Sequence, residues 1–194
     1  MTPHVSFPAP LLLRAQGASR AGRVGMRAAI FDVDGVLTDG RIYIGEHGET
    51  VKAFSTLDGH GLKLLARVGI EPLVVTGRDS KAVRRRVADL GLSHAVYGAH
   101  DKWKAADQLL RELGLPWDEV AVMGDDWPDL PLMQHAALAC APLNAHPEVR
   151  AMAHHVTQAP GGHGAAREFC DLLLMAAGRY RELLDGHLQT LDSA

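Results

Sequence analysis

Short apolar segments alternate with amphipathic ones along most of this 194-residue chain, and this alternation constrains the fold more than any other feature. Strands are predicted at 28–33, 71–77, 94–97, 119–126, 138–141 and 155–158. Helical patterns lie between them, and a last helix is predicted at about 165–181. Strands that alternate with helices form a parallel sheet with helices on both faces. The sequence therefore predicts an α/β fold built on a parallel sheet.

Two of the helical patterns carry their own start and stop residues. Ser80 is a candidate N-cap for a helix at 81–90, and Gly91 is placed to end that helix. A second helix at 103–113 is followed by Gly114, which can adopt the left-handed conformation that ends many helices. These residues predict where the helices stop and the next strands begin.

A hairpin interrupts the alternation after the first strand. Two short β segments, 42–44 and 50–54, are separated by the turn sequence Gly45-Glu46-His47-Gly48. A connection of four or five residues that contains glycine is typical of a hairpin. We therefore expect a small β-hairpin flap at about 40–57.

The chain length fits one domain with a sizeable core. We predict this domain over 26–180, between a loosely ordered tail at 1–25, with at most one short helix, and a C-terminal tail at 181–194. The apolar run at 11–13 is too short for the core of a secretory signal.

Composition argues against several functional classes. Hydrophobic residues make up 47% of the chain and charged residues 22%, as in globular proteins. The net charge is -3 and no basic stripe is present, so nucleic acid is not an expected partner. No segment is long enough for a membrane span. Cys140 and Cys170 lie in apolar sequence, so we expect two buried thiols and a reducing compartment.

Aspartate and glycine residues follow the apolar start of the first predicted strand, in the sequence AAIFDVDGVLTDG at 28–40. Three carboxylates, those of Asp32, Asp34 and Asp39, lie within eight residues. Like charges this close repel each other, and their burial is costly without a compensating positive charge. Residues i and i+2 of an extended segment point the same way, so Asp32 and Asp34 can share one cleft.

Other strand ends carry complementary groups. Thr76 follows the second parallel strand, Lys102 follows the third, and Asp125 and Asp126 follow the fourth. In open α/β sheets, sites form at the carboxyl ends of the strands. An acidic cluster of oxygen ligands suits a hard divalent cation such as Mg²⁺. A hydroxyl and an ammonium suit the oxygens of a phosphate group, so this set of residues fits phosphoryl transfer.

Two carboxylates with different duties would complete the chemistry. Asp32 would attack phosphorus, and Asp34 would protonate the leaving alcohol and then deprotonate water. Each motif alone has a structural explanation, as an Asp-containing turn, a strand-end turn at Thr76, a surface lysine, or a helix cap at Asp125-Asp126. The order and spacing of all four motifs together favour the functional interpretation.

The four motifs as a set resemble the haloacid dehalogenase superfamily of phosphatases. They are DVDGVLTDG at 32–40, VTGR at 75–78, the helix-opening Lys102, and GDD at 124–126 followed by Asp129. Within this superfamily the chain resembles the 3-deoxy-D-manno-octulosonate 8-phosphate phosphatases over about 26–179. That resemblance rests on TDGRIYI at 38–44, FSTLDGHGLKLL at 54–65 and GGHGAAREFCDLL at 161–173.

The resemblance implies a three-layer, Rossmann-like fold, Mg²⁺ dependence and an aspartyl-phosphate intermediate. By motif match, Asp32 is the nucleophile and a metal ligand. Asp34 is the acid/base, and its main-chain carbonyl also binds the metal. Asp125 is the third metal ligand, and Asp126 supports the metal through water.

The resemblance also implies a phosphate site made by Thr76, Gly77 and Lys102. The family reaction releases 3-deoxy-D-manno-octulosonate for the inner core of lipopolysaccharide, in the cytoplasm of Gram-negative bacteria. Many relatives close the site with a cap domain, but this chain has only the hairpin flap at about 40–57. The resemblance therefore implies a homotetramer in which neighbouring subunits complete the active sites.

Substrate recognition is expected to depend on few residues. A guanidinium suits the carboxylate of a sugar acid, and Arg78 is the first candidate. His60 and Arg167 are further candidates. The family tail usually reads Gly-Gly-Arg-Gly, and this chain has His163 in place of the arginine. The resemblance implies that this arginine reaches the substrate of a neighbouring subunit. Histidine is shorter and only partly charged at neutral pH, so Arg167 is a candidate to take over that contact.

Two alternatives remain. One is a related phosphatase for a nonulosonate 9-phosphate or for a broad range of sugar phosphates. The resemblance favours the eight-carbon acid, because a sister group that acts on a nine-carbon acid tends to carry glutamate at the position of Arg78. The other is a receiver-type signalling domain, which also places acids, a hydroxyl and a lysine around Mg²⁺. The order of motifs argues against a receiver, because here Asp32 and Asp34 form one unit and Lys102 precedes the last acidic pair.

Overall fold

A computed structural model describes residues 5–17, 19–20 and 23–189 of the chain. The strands are β1 (Ser19–Arg20), β2 (Arg23–Val24), β3 (Ala28–Phe31), β4 (Tyr43–Gly45), β5 (Gly48–Val51), β6 (Glu71–Val75), β7 (His94–Val96), β8 (Val120–Met123), β9 (Leu138–Ala141) and β10 (His155–Val156). The helices are α1 (Ala9–Ala15), α2 (Thr56–Arg67), α3 (Lys81–Leu90), α4 (Lys102–Leu113), α5 (Leu130–His135), α6 (Pro147–Met152), α7 (Ala165–Ala176) and α8 (Tyr180–Gln189). Short 3₁₀ turns lie at Trp117–Glu119 and Trp127–Asp129.

Within the described residues, six strands form a parallel sheet in the order β10-β9-β8-β3-β6-β7. The strand β3 lies in the centre, and its four residues are all buried. Phe31 at its end is paired with Val74 of β6 and Met123 of β8, so the three strands end at the same level. The predicted α/β fold with a parallel sheet is confirmed.

The side chains of β3 alternate between two cores. Ala29 and Phe31 face a core shared with α2, α3 and α7, where Phe31 meets Phe169 edge to face with ring centroids 5.7 Å apart. Ala28 and Ile30 face a second core shared with α4, α5 and α6. The sheet therefore has helices on both faces, and the fold has the three predicted layers.

The small antiparallel hairpin of β4 and β5 follows the first motif, as predicted. Its turn is tighter than the sequence suggests, because Gly45 and Gly48 belong to the strands and pair with each other. Ile44 and Val51 on this hairpin are exposed. The hairpin therefore presents apolar side chains to solvent in the isolated chain.

The C-terminal helix differs from its prediction. One helix was expected at about 165–181, but α7 ends at Ala176 and α8 begins at Tyr180. Gly178 between them has a φ of 69°, a left-handed conformation that interrupts a right-handed helix. The apolar periodicity continues through the break, so it gave no signal of the interruption.

The N-terminal region contains the one short helix that the sequence allowed, α1, which packs against α7. Ala15 is buried there, so this part of the predicted tail joins the core. The predicted tails at 1–25 and 181–194 extend in part beyond the described residues. Among the residues the structure describes, no helix has the length and apolar character for a membrane span. Cys140 and Cys170 are free, buried thiols, as expected.

Candidate active site

The carboxyl ends of the parallel strands surround an open pocket of about 510 Å³. The pocket is lined by Asp32, Asp34, Gly40, Thr76, Gly77, Arg78, Ala99, His100, Lys102, Asp125, Asp126, Pro128 and Asp129. Eight of the ten predicted site residues are in this set, so the convergence expected from the strand ends is present. His60 and Arg167 are not among them.

Backbone hydrogen bonds just past the strand ends hold the site residues in place. The N–H of Asp32 donates to the carbonyl of Met123 at 3.1 Å, and the N–H of Thr76 donates to the carbonyl of Val96 at 3.0 Å. Lys102 is the first residue of α4, whose N-cap Asp101 accepts from the N–H of Lys104. Asp32 and Thr76 therefore lie in loops that are anchored to the sheet by their first residue, and Lys102 lies in the first turn of a helix.

Lys102 is the central cation of the pocket. Its Nζ lies 2.7 Å from Asp32 Oδ1 and 2.6 Å from Asp129 Oδ1, and its side chain is only 7% exposed. Burial acts to lower the pKa of Lys102, but the charges and hydrogen bonds of Asp32 and Asp129 outweigh it and raise the pKa. The lysine is therefore an ammonium group held against the predicted nucleophile.

The sequence interpretation did not include Asp129 among the site residues, although it follows GDD at a fixed spacing. Its Oδ2 accepts from the backbone N–H groups of Asp125 at 3.1 Å and Asp126 at 3.4 Å. A Cβ at Gly124 would lie 2.3 Å from the Cβ of Asp129, so the glycine makes this approach possible. Asp129 therefore orients both Lys102 and the turn that carries Asp125.

Three carboxylates meet at the base of the pocket. Asp32, Asp125 and Asp129 each offer an oxygen within 4.8 Å of the others. Burial, followed by the charge of Asp129, raises the pKa of Asp32 to about 7. Burial, followed by the charges of Asp32 and Asp129, raises the pKa of Asp125 to about 8. These shifts show that the carboxylates need further positive charge to ionise fully.

The donor set fits a hard divalent cation, and the best ligands are Asp32 and Asp125. Within the described residues, Asp125 Oδ1 is buried without a hydrogen-bond partner. Both oxygens of Asp129 already accept hydrogen bonds, so Asp129 is better suited to orient its neighbours than to bind metal directly. A cation at Asp125 Oδ1 would satisfy this orphaned oxygen.

Asp34 lies beside a buried lysine that the sequence interpretation missed. Lys52 follows β5 on the hairpin, and its Nζ donates to Asp34 Oδ1. The same Nζ lies 3.2 Å from Glu49 Oε2. Ser80, expected as a helix cap, makes no side-chain cap hydrogen bond and instead donates to Glu49 Oε1 at 2.5 Å. The tertiary position of the hairpin overrides the local capping signal.

Two predicted residues lie at the rim of the pocket. Asp126 is exposed, and its Oδ1 accepts from the N–H of Trp127 at 2.8 Å, so it caps the 3₁₀ turn at Trp127–Asp129. Arg78 is partly exposed, and its Nε lies 3.8 Å from Asp34 Oδ2. Arg78 also lines a groove between the hairpin and the start of α3. Its guanidinium is therefore within reach of a ligand that extends from the pocket.

The structure does not bring His60 and Arg167 to this pocket. Both line a separate cavity against α8, where the His60 ring lies 5.6 Å from that of His187. Arg167 Nε donates to Asp171 Oδ1 at 2.8 Å, one turn along α7. In the described chain, α2 and α7 turn these side chains toward α8 and away from the pocket. A contact of Arg167 with the substrate of a neighbouring subunit stays a prediction.

The glycines before α7 lie directly against the loop of the first motif. A Cβ at Gly161 would lie 1.8 Å from the carbonyl oxygen of Gly35, and one at Gly162 would lie 2.6 Å from the backbone of Thr38. The N–H of Gly162 donates to the carbonyl of Val36 at 2.9 Å. Only residues without a side chain permit this approach, so the two glycines have a structural role independent of His163.

Comparisons with known proteins agree with this geometry. A model of haloacid dehalogenase-like hydrolases matches residues 96–169. The 3-deoxy-D-manno-octulosonate 8-phosphate phosphatase KdsC of Escherichia coli K12 is 44% identical over 157 residues, which are 81% of this chain and 84% of the relative.

Solved structures give the same result. The crystal structure of 3-deoxy-D-manno-octulosonate 8-phosphate phosphatase from Yersinia pestis has a TM-score of 0.82 and 39% identity, and covers 89% of each chain. The enzyme from Moraxella catarrhalis, in complex with magnesium, phosphate and KDO, has a TM-score of 0.84 and 34% identity, and covers 92% of this chain and 98% of that one. The chain therefore belongs to the 3-deoxy-D-manno-octulosonate 8-phosphate phosphatase family of haloacid dehalogenase-like hydrolases.

Proposed function

We propose that this protein hydrolyses 3-deoxy-D-manno-octulosonate 8-phosphate to 3-deoxy-D-manno-octulosonate and phosphate. The observation that carries the proposal is the convergence of Asp32, Asp34, Thr76, Lys102 and Asp125 on one pocket. Relatives named for this reaction match most of the chain at 44% identity. The carboxylates and the ammonium have the chemistry that phosphoryl transfer needs.

In the proposed mechanism, a carboxylate oxygen of Asp32 attacks phosphorus and forms an aspartyl-phosphate. Asp34 gives its proton to the leaving alcohol, and then accepts a proton from the water that hydrolyses the intermediate. Lys102, Thr76 and the backbone at Gly77 hold the phosphate oxygens.

Asp32, Asp125 and the main-chain carbonyl of Asp34 would hold Mg²⁺, which supplies positive charge to the phosphate oxygens when it is bound. The orphaned Oδ1 of Asp125 supports this assignment. Asp126 is proposed to act through water, because its side chain is at the rim and caps the following turn. The crystal structure of the relative from Moraxella catarrhalis contains magnesium and phosphate together with KDO.

Arg78 is proposed to bind the carboxylate of the sugar acid. Its partly exposed guanidinium lies between the pocket and the groove beside the hairpin, which is the direction in which a long substrate would extend. We place the reaction in the cytoplasm, in the supply of the inner-core sugar of lipopolysaccharide. His60 and Arg167 are left out of the proposed binding site, because they line the cavity at α8.

We also propose that the protein acts as a homotetramer. The hairpin exposes Ile44 at 69% and Val51 at 55%, and contacts with a neighbouring subunit would cover these side chains. A neighbour would also shield an open pocket that has a small flap and no cap domain. Sedimentation or light scattering of the full chain would measure the oligomeric state, and a monomer at working concentration would contradict this part of the proposal.

The experiment that tests the function is steady-state phosphate release with Mg²⁺ across a panel of phosphate esters. The panel contains 3-deoxy-D-manno-octulosonate 8-phosphate, the nine-carbon analogue and simple hexose phosphates, with Asp32→Asn as the inactive control. We expect a strong preference for the eight-carbon acid that is lost in the variant. Weak, unselective release that is lost in Asp32→Asn would retain the phosphatase and refute the named substrate.

A further inference from the structure

We propose that Lys52 on the hairpin flap is a positioning residue for the acid/base Asp34, and this rests on the proposed function. The Lys52 ammonium donates to Asp34 Oδ1 and lies 3.2 Å from Glu49 Oε2. Its side chain is 0% exposed, whereas Lys104 on α4 is 83% exposed. Lysine is among the residue types least often found fully buried, so this placement calls for an explanation.

Stability alone does not explain a buried ammonium group. Removing a charge from water costs several kcal/mol, and well-packed hydrophobic residues often replace buried ion pairs without loss of stability. What an apolar side chain could not do is hold an oxygen of Asp34, and this contact is therefore the feature that points to a role in the reaction.

The contact divides the two oxygens of Asp34 between different tasks. An ammonium group can only donate hydrogen bonds, so Asp34 Oδ1 is committed to Lys52. Within the described residues, Asp34 Oδ2 is buried and has no hydrogen-bond partner, and Arg78 Nε is 3.8 Å away. The oxygen left to carry a proton is therefore Oδ2, and the contact with Lys52 fixes the rotamer that keeps it unpaired.

The hairpin is fastened to the main domain by the same network. Glu49 binds Lys52 with one oxygen and accepts from Ser80 Oγ with the other, at 2.5 Å. Ser80 stands directly before α3, in the loop that also carries Arg78. Lys52 reaches Asp34 when the hairpin lies in this position. The hairpin therefore supplies the group that orients the acid/base.

The proposed role leaves the balance of the reaction unchanged. When Asp32 attacks phosphorus, the bond from phosphorus to the leaving oxygen breaks, and the proton of Asp34 Oδ2 moves to that oxygen. When water then attacks the aspartyl-phosphate, its proton moves to Asp34 Oδ2 and the bond from phosphorus to Asp32 breaks. Lys52 keeps its protons throughout, so it acts through Asp34 and not on the substrate.

The test compares two leaving groups in the variant Lys52→Met. A sugar alkoxide needs a proton as it leaves, whereas p-nitrophenolate does not, and kcat/KM reports the steps up to release of the alcohol. General-acid catalysis contributes about 10²–10⁴-fold, so we expect kcat/KM for the sugar-acid phosphate to fall by about 100-fold or more. On the same scale, kcat/KM for p-nitrophenyl phosphate should fall by less than about threefold.

Two further variants complete the design. Lys52→Arg keeps the charge and should recover part of the loss in kcat/KM for the sugar-acid phosphate. Lys104→Met, the matched surface variant, should leave kcat/KM unchanged for both substrates. If Lys52→Met does not fold, Glu49→Gln offers a milder change that weakens the contact between Glu49 and Lys52. It should shift the ratio of the kcat/KM values for the two substrates in the same direction. The thermal shift produced by Mg²⁺ should be equal in Lys52→Met and the wild type.

Equal losses on both leaving groups would overturn the proposal, because they would show that Lys52 supports only the fold of the hairpin. Unchanged kinetics would overturn it as well. A separate result would refute the proposed substrate: the wild type would release phosphate from another alkyl phosphate ester in preference to the sugar-acid phosphate. The same ratio, measured with that ester against p-nitrophenyl phosphate, then tests Lys52 independently.

Discussion

Replacement of Lys102 by methionine tests how much of the site depends on one buried ammonium group. Lys102 lies 2.7 Å from Asp32 and 2.6 Å from Asp129, whose side chains are 7% and 3% exposed. Lys102→Met leaves two buried carboxylates without their cation. Removing one partner of a buried ion pair typically costs about 3–5 kcal/mol. For a chain of this size, that corresponds to a fall in Tm on the order of 10 °C.

The assay is urea unfolding at fixed protein concentration, in EDTA and at pH 8.5. Asp129→Asn removes one of the two charges but keeps an oxygen that can accept from the backbone. We expect the double variant Lys102→Met/Asp129→Asn to lose less stability than the two single variants lose in sum. The difference should be about 1–2 kcal/mol, because the two residues are in contact. Lys104→Met on the same helix should change stability by less than about 0.5 kcal/mol.

Additive losses in this double-mutant cycle, within about 0.5 kcal/mol, would refute the reasoning. They would show that Lys102 and Asp129 contribute independently and that the short contact carries little coupling. A fall that is as large at pH 5 as at pH 8.5 would also contradict it. Asp32 has a pKa of about 7, so at the lower pH it can take up a proton and relieve part of the cost.

Two further predictions concern the metal and the glycine contact. The pKa values of Asp32 and Asp125 are raised to about 7 and about 8, so these groups favour the fold while protonated and lose that contribution as pH rises through those values. The Tm increase produced by Mg²⁺ should therefore be larger at pH 8.5 than at pH 6, and a larger increase at pH 6 would contradict the assignment. Gly161→Ala places a Cβ 1.8 Å from the carbonyl oxygen of Gly35, and we expect a lower Tm and a marked loss of phosphatase activity. The control is Gly186→Ala in α8, where the added Cβ would meet no atom within 4 Å apart from its chain neighbours and its own helix backbone. This variant should be neutral or slightly stabilising, and equal effects of the two variants would refute the close-approach argument.

Much of the site was predictable because its residues follow strands. Asp32, Thr76 and Asp125 each follow the end of a strand, at one edge of the parallel sheet. Asp34 also lines the pocket, but it lies in a turn and not in the extended segment that the i, i+2 argument assumed. Hydrophobic periodicity identifies the strands, and the topology then brings their ends together. Local sequence and global fold agree at these positions, which is why prediction succeeds there.

Other features depended on contacts that no local pattern encodes. Lys52 stands in a hairpin and reads as an ordinary surface lysine, yet the hairpin folds it onto Asp34. Ser80 is predicted as a helix cap, yet its hydroxyl donates a hydrogen bond to Glu49. His60 and Arg167 lie in segments that resemble the family, yet their helices face α8. The partners of Lys52, Ser80 and His60 are distant in the chain, and the packing of α7 against α8 decides where Arg167 lies.

The sequence by itself determined the layered α/β architecture and the chemistry available at one end of the sheet. Hydrophobic periodicity and the glycines that end helices and strands are signals that act over a few residues. They are sufficient to place Asp32, Thr76, Lys102 and Asp125 at the ends of strands or at the start of a helix. Only the tertiary structure decided which charges pair. Burial makes each unpaired charge costly, so the packing of the hairpin and of the turn at Asp129 selects Lys52 for Asp34 and Lys102 for Asp32.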